Sequence, residues 1–245
     1  MENILSAPLC REVNIATQPV FVSCNHEARA ILAAASQSII RTKGEYFFRE
    51  NDLVRGLFCL TSGLVKIMRY HGEHAHIVGF LKPGDILGID CVMMQSPAHS
   101  SSASAMTDTG GYFIAREDFL KAVAADPMMN IRLMKSVCEQ IERLEEHFSD
   151  IKNKSLPLRL AEILLMITGE THQKFPIVLD LKADELANYI HSSALLVKKT
   201  LQDFERKRIL SLSENAIIIN DPELLKKAFQ YESGKNSLKE VRKAG

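Results

Sequence analysis

Between Ala194 and Arg208 five basic residues, Lys198, Lys199, Arg206, Lys207 and Arg208, stand against two acidic ones. Cationic heads gathered this closely can neutralise phosphates, the charge term that dominates nucleic-acid affinity. The same stretch also reads as the solvated face of an ordinary helical hairpin. A second group, His71, His74 and His76, has His-x-x-His-x-His spacing. It would hold a metal only if neutral imidazoles converged with a carboxylate at about 2 Å. Gly72-Glu73 lies between two strand-like runs, so a surface hairpin turn is the simpler reading. A third stretch, Gln95 to Ser104, is small and hydroxyl-rich, and suits a ligand-lining strand and a solvent loop equally. The chain has no Gly-rich phosphate loop of the P-loop type and no nucleophile elbow, and its scattered acids make no catalytic pair. We therefore expect no catalytic residue, no metal site and no enzyme.

The elements around the basic cluster decide what it can do. Lys182 to Ile190 is amphipathic at helical spacing, with Leu186, Ala187 and Ile190 on one side. His191-Ser192-Ser193 follows, then a second helical pattern from Ala194 to Phe204. Ser192 or Ser193 can cap that second helix, and small Ala187 lets the two helices cross closely. Val197, Leu201 and Phe204 should face the core, which leaves Ser192, Ser193, Ala194, Lys198, Lys199 and Gln202 toward a partner. Two apolar runs, Ile209 to Leu212 and Ala216 to Ile219, flank a polar turn and form a hairpin directly afterwards. Helix, helix, hairpin is the order of a winged helix-turn-helix, whose second helix enters the DNA major groove.

Upstream, from about Thr42 to Phe119, strand-length apolar runs broken by Gly predict an antiparallel sandwich or barrel, preceded by a short helix over Glu27 to Ser36. At Asp126-Pro127 the pattern changes to one long helix running to about Asn153. It carries two apolar stripes: Ile131, Met134, Cys138, Ile141 and Phe148, with coiled-coil-like spacing, and Leu133, Val137, Leu144 and Ile151. Two stripes allow the helix to pack on its own domain and on a second subunit. The polar hinge Lys152 to Ser155 ends it, and a new helix begins at Leu156-Pro157.

Composition sets the outer limits. At roughly 150 residues per domain, 245 residues make two modest domains. Net charge is zero, but residues 1–152 carry 15 basic and 18 acidic side chains, leaving 15 and 12 to the remainder, so the positive end is C-terminal. The longest apolar runs reach about a quarter of a membrane span, and the acidic start Met-Glu-Asn-Ile-Leu is unlike a signal peptide, which makes a cytoplasmic location the expectation. Five cysteines, at 10, 24, 59, 91 and 138, are odd in number and far apart, which argues against disulfides, zinc and an iron-sulfur cluster.

Several motifs together carry a family resemblance. Lys43-Gly44-Glu45, Ser62-Gly63-Leu64-Val65-Lys66, Phe80 to Gly88, the long helix after Asp126-Pro127, and Leu186-Ala187 through Leu201 with its wing occur in the order of the CRP/FNR regulators. Over roughly residues 30 to 225 the chain resembles that family. The resemblance implies an α+β fold: an N-terminal antiparallel β-roll of cyclic-nucleotide-binding type over 1–126, a dimerisation helix over 127–153 and a winged helix-turn-helix over 154–231; the remainder, 232–245, is polar and charged with only Leu238 and Val241 as sizeable apolar residues and reads as a fraying tail. The resemblance also implies a signal-responsive homodimer that binds a palindromic DNA operator, with RNA polymerase as a further partner. Ile131, Met134, Cys138, Ile141 and Phe148 become the expected dimer seam.

The departures are specific. The ribose-holding Glu and phosphate-holding Arg-Ser of nucleotide-binding members fall here on Ile89 and His99-Ser100. Without Arg a cyclic phosphate loses its bidentate charge-assisted partner, so cyclic AMP is not the expected effector. Gly88, Ile89, His99, Ser100 and Ser101 mark the expected pocket, its ligand unknown. The pocket could also be filled by the chain's own side chains, Ile89 among them, making a constitutive regulator. The N-terminal cysteine group of oxygen-sensing relatives is missing. The recognition helix begins Ala194-Leu195, where well-studied members place Arg-Glu-type residues; Ala or Leu can touch only a thymine methyl or nothing, so direct readout should be weak or different in sequence and the operator cannot be copied from relatives. The alternative is a cupin-like metal-binding β-barrel enzyme with a helical appendage, using His74 and His76.

Overall fold

The computed structural model describes residues 21–72, 74–169 and 176–243. The chain start Met1 to Leu5, Cys10 and the turn residue Glu73 lie outside the described residues. Helix α1 (His26–Ala35) begins at Asn25, whose side chain accepts from the Ala28 N–H. Eight strands follow: β1 (Gln37–Arg41), β2 (Tyr46–Phe48), β3 (Gly56–Ser62), β4 (Val65–His71), β5 (His74–Leu81), β6 (Ile86–Leu87), β7 (Ser102–Ala105) and β8 (Thr109–Ala115), with the short helix α2 (Ile89–Met93) between β6 and β7. They form two antiparallel four-stranded sheets, ordered β1-β8-β3-β6 and β2-β7-β4-β5. Between them lie Phe47, Phe48, Phe58, Leu60, Val65, Leu87, Ala103 and Ala105. Gly63, at φ 80°, makes the tight β3–β4 turn, and a Cβ there would collide with the Asp108 carbonyl. The two facing sheets are the antiparallel sandwich that the Gly-punctuated runs predict, in the β-roll form that the resemblance implies.

Helix α3 (Arg116–Ala125) leads into α4 (Pro127–Asn153), whose bounds are those read from the sequence. Asp126 starts α4: its carboxylate accepts from the Asn25 and Met128 N–H groups and from Arg132 at 2.7 Å. The Asn25 hydrogen bond, and then Arg132, hold that carboxyl below its ordinary range. Met129 and Leu133 bury against α1, α3 and β3. Farther along, Ile131, Met134, Val137 and Ile141 are exposed. Val137 is exposed although Leu133, on the same stripe, is buried. The side chains of Leu144, Phe148 and Ile151 lie outside the described residues.

The C-terminal unit contains α5 (Leu156–Gly169), β9 (Ile177–Leu179), α6 (Ala183–Tyr189), α7 (Ala194–Arg206), β10 (Ser211–Leu212), β11 (Ile217–Ile219) and α8 (Pro222–Lys243). Its sheet is antiparallel in the order β10-β11-β9. Strand β9 ends at Leu179, and Asp180 beyond it donates its N–H to Met106 O at 3.1 Å. The backbone stays helical to Lys243, although the sequence reads as a fraying tail from Glu232. Lys, Glu, Leu and Arg in this stretch favour a helix, although Ser233, Gly234, Asn236 and Ser237 do not.

The two units share one apolar cluster. Leu64, Met68, Ile77 and Met106 of the β-roll pack with Leu160, Ile163, Leu186, Val197, Phe204 and Ile217. Phe80 meets Tyr189 edge to face, with centroids 4.8 Å apart. Lys66 on β4 bonds both carboxylate oxygens of Glu185 on α6, at 2.9 and 3.1 Å.

Candidate nucleic-acid interface

The first helix of the pair is placed by three devices. Glu185 reaches back to accept the Lys182 N–H at 2.9 Å. Leu186 and Ala187 bury beneath α6. Arg159 on α5 donates to the Ile190 carbonyl at 2.6 Å where α6 ends. The chain then turns through His191 in the left-handed region, φ 50°, and the Ser192 N–H donates back to Ala187 O at 3.0 Å.

Ser193 is the cap of α7, accepting the Leu196 N–H at 3.3 Å. Ser192, the other possible cap, is half-buried beside it. Val197, Leu201 and Phe204 are buried as expected, on one side of α7. Ser193, Ala194, Lys198, Lys199 and Gln202 are exposed together on the other. Leu195, named above among the departures from the family pattern, is exposed with them. Positions 195, 198, 199 and 202 have i, i+3, i+4, i+7 spacing, so they line one stripe. That spacing is legible in the sequence itself.

The wing is tied to this helix. Glu205 accepts the Leu212 N–H at 2.8 Å, and Asn220 donates to the Ser211 hydroxyl at 2.9 Å across the hairpin. Arg206 pairs with Asp203 on its own helix, so Lys198 and Lys199 are the better placed of the basic side chains to meet a phosphate.

The expected effector residues are only partly together. Gly88, at φ 79°, lies over His99: a Cβ on Gly88 would come 3.3 Å from His99 Cε1. The His99 ring is 4% exposed and stacks on Phe48, centroids 3.6 Å apart and planes 4° from parallel. Its Nδ1 is buried without a hydrogen-bond partner. Burial holds the imidazole below its ordinary pKa. Ile89 packs instead toward the helical core, and Ser100 is exposed with Ser101 half-buried beside it. From Ser102 the hydroxyl-rich stretch becomes strand β7, with Ser102 and Ser104 buried. A cleft of about 360 Å³ adjoins this run, lined by Arg49, Glu50, Asn51, Tyr70 and Ser102; the Asn51 N–H donates to the His99 carbonyl at 2.9 Å.

The histidines sit on the β4–β5 hairpin, His71 opposite His74 in register and the His71 and His76 rings 5.6 Å apart. No cluster of three or more metal-ligating side chains occurs among the described residues.

Comparison with known proteins matches both units. Residues 41–126 match the cyclic nucleotide-binding domain family, and residues 158–228 the Crp-like helix-turn-helix domain. The chain is 23% identical over 216 residues to the CRP-like cAMP-activated global transcriptional regulator of Mycobacterium tuberculosis, covering 86% of this chain and 96% of that one. Among solved structures, a regulator assigned to the crp/fnr family from Eubacterium rectale superposes with a TM-score of 0.65 at 20% identity, over 86% of this chain and 98% of that one. FixK2 from Bradyrhizobium japonicum gives 0.59 at 19%, over 79% and 96%.

Proposed function

The chain belongs to the CRP/FNR family of transcription regulators, and from that premise we propose that it works as a cytoplasmic homodimer whose two α7 helices enter successive major grooves of a palindromic operator. The observation that carries the reading is the division of α7: Val197, Leu201 and Phe204 are buried, while Ser193, Ala194, Lys198, Lys199 and Gln202 are exposed beside a wing. Lysine heads there supply the sequence-independent phosphate term, and the residues toward the start of α7 meet the base edges. Ile131, Met134, Cys138 and Ile141 form the surface on which a second copy packs, since all four are exposed along a helix otherwise anchored through Met129 and Leu133. RNA polymerase is the partner that would turn operator binding into a transcriptional effect. None of the described helices is long and apolar enough to cross a membrane.

Cyclic AMP is not the effector in this reading. His99 stands where a phosphate-binding Arg would be needed, and its ring is folded down onto Phe48. That stack favours a second reading, in which the roll is filled by its own side chains and the dimer binds DNA with no small molecule. Family membership favours the regulator over the metal-binding enzyme that His74 and His76 suggested.

Selection of fragmented genomic DNA on the purified protein, without ligand at about 150 mM salt, tests the proposal. We expect enrichment of a two-fold symmetric site with half-sites about one helical turn apart. Enrichment of asymmetric single half-sites would contradict the dimer. Equal recovery of all fragments would contradict sequence-specific binding by the ligand-free protein.

A further inference from the structure

The exposed stripe of α7 begins with a large apolar side chain. Leu195 is 77% exposed, and Leu196 on the adjoining face is 52% exposed. Both lie in the first turn, beside Ala194, and both lack any polar atom beyond the backbone. The hydroxyls nearby are turned to the helix itself: Ser193 Oγ accepts the Leu196 N–H, and Thr200 donates to the Leu196 carbonyl at 2.8 Å. Around this apolar tip the charge is positive, with Lys198 and Lys199 one turn along the same stripe.

We propose that α7 selects its operator by packing Leu195, with Ala194 beside it, on thymine C5-methyl groups in the major groove. This rests on the DNA-binding reading above and specifies what that site recognises. Of the base edges in the major groove, only thymine presents a methyl group. A leucine against any other edge covers a donor or acceptor without replacing its water, which is unfavourable. Lys198 and Lys199 lie close enough along the stripe to hold phosphates while Leu195 is in the groove. Gln202, one further turn along, has the amide that can bond adenine N6 and N7 together. A half-site rich in A·T pairs follows, with thymine at the position facing Leu195.

Replacing thymine by uracil in the DNA tests this, because it removes the methyl and leaves every hydrogen-bonding group. The operator is first obtained by selection from ordinary genomic DNA, then remade with uracil at each thymine of the half-site in turn. We expect about a fourfold loss of affinity per contacted methyl. The Leu195→Ala protein should bind the thymine site more weakly and lose most of its sensitivity to the exchange at the thymine facing position 195, with an unchanged salt dependence. Full-affinity binding to the all-uracil site would overturn methyl readout while leaving DNA binding intact. A Leu195→Ala change that alters sedimentation but not uracil sensitivity would mean that a second copy, not DNA, covers the leucine. Absence of any selected site would instead sink the DNA-binding reading itself.

Discussion

Lys66 and Glu185 lie 119 positions apart in the chain and meet through two hydrogen bonds of 2.9 and 3.1 Å. The same ammonium donates to the Asp180 carbonyl at 3.0 Å and lies 3.5 Å from its carboxylate. Three donors thus find a ring of acceptors, which an ammonium needs when its side chain is 6% exposed. Glu185 also holds the Lys182 N–H, so one carboxylate both starts α6 and attaches it to β4. The attitude of the α6–α7 pair is therefore set by its contact with the β-roll.

Replacing Lys66 by Met removes the cation and leaves two carboxylates facing apolar surface. A fully enclosed pair broken in this way costs about 3–5 kcal/mol, but Glu185 and Asp180 retain some access to water. We expect a loss of about 2 kcal/mol in urea unfolding, with faster protease cleavage of the winged unit. A change under about 0.5 kcal/mol would mean the pair does not hold the two units together.

Lys198 and Lys199 are assigned to phosphates, so their effect should show in the salt dependence. Changing each to Ala should reduce the slope of log affinity against log salt by about one and weaken binding to all sequences alike. Measurements on the selected operator between 50 and 200 mM salt, a range set for the assay by about the usual span, would remove these lysines from the interface if the slope stayed the same.

The proposed subunit interface can be broken without touching DNA. Met134, 67% exposed, and Ile131, 57% exposed, are expected to meet their counterparts across a two-fold axis. Met134→Glu should yield monomers in sedimentation, because an unpaired carboxylate in an apolar seam is strongly disfavoured. Operator affinity should fall by at least tenfold as one half-site is lost. A variant that remains dimeric would place the interface elsewhere.

His99 makes stability depend on pH in a predictable direction. Its folded-state pKa lies below the ordinary value of 6.5, chiefly because of burial. As pH falls through 6.5 the unfolded chain takes up a proton that the folded ring resists, so stability declines on acidification. His99→Phe keeps a ring on Phe48 and removes both the titration and the unpaired Nδ1. The variant should lose less stability than the parent between pH 7.5 and 5.5 in denaturant unfolding, an interval chosen to bracket the usual His value by about one unit. An equal loss in both proteins would show that His99 titrates in the folded state as it does unfolded.

Local pattern explains what could be read in advance. Proline at N1 and the absence of any further helix breaker up to Asn153 placed α4, and the three buried side chains of α7 followed from their spacing alone. The Lys66 contact to Glu185 was not readable, because nothing local to β4 says which distant carboxylate will face it. The fate of His99 was equally hidden: whether a histidine in a hydroxyl-rich run faces a ligand or stacks on Phe48 depends on how β2 meets the loop before β7. Helical continuation to Lys243 was missed for a different reason, since low hydrophobicity was taken for a lack of helix propensity.

The apolar cluster shared by the two units bears on how this architecture can be recombined. Leu64, Met68, Ile77 and Met106 supply one wall of the cluster that encloses Leu186, Val197 and Phe204. A winged helix cut away at the hinge would therefore carry a raw hydrophobic face into water. Grafted onto a different sensor, it would need a hairpin of matching shape to seat against. For this chain, the modular unit of exchange is the reading head together with the β4–β5 ribbon that closes over it.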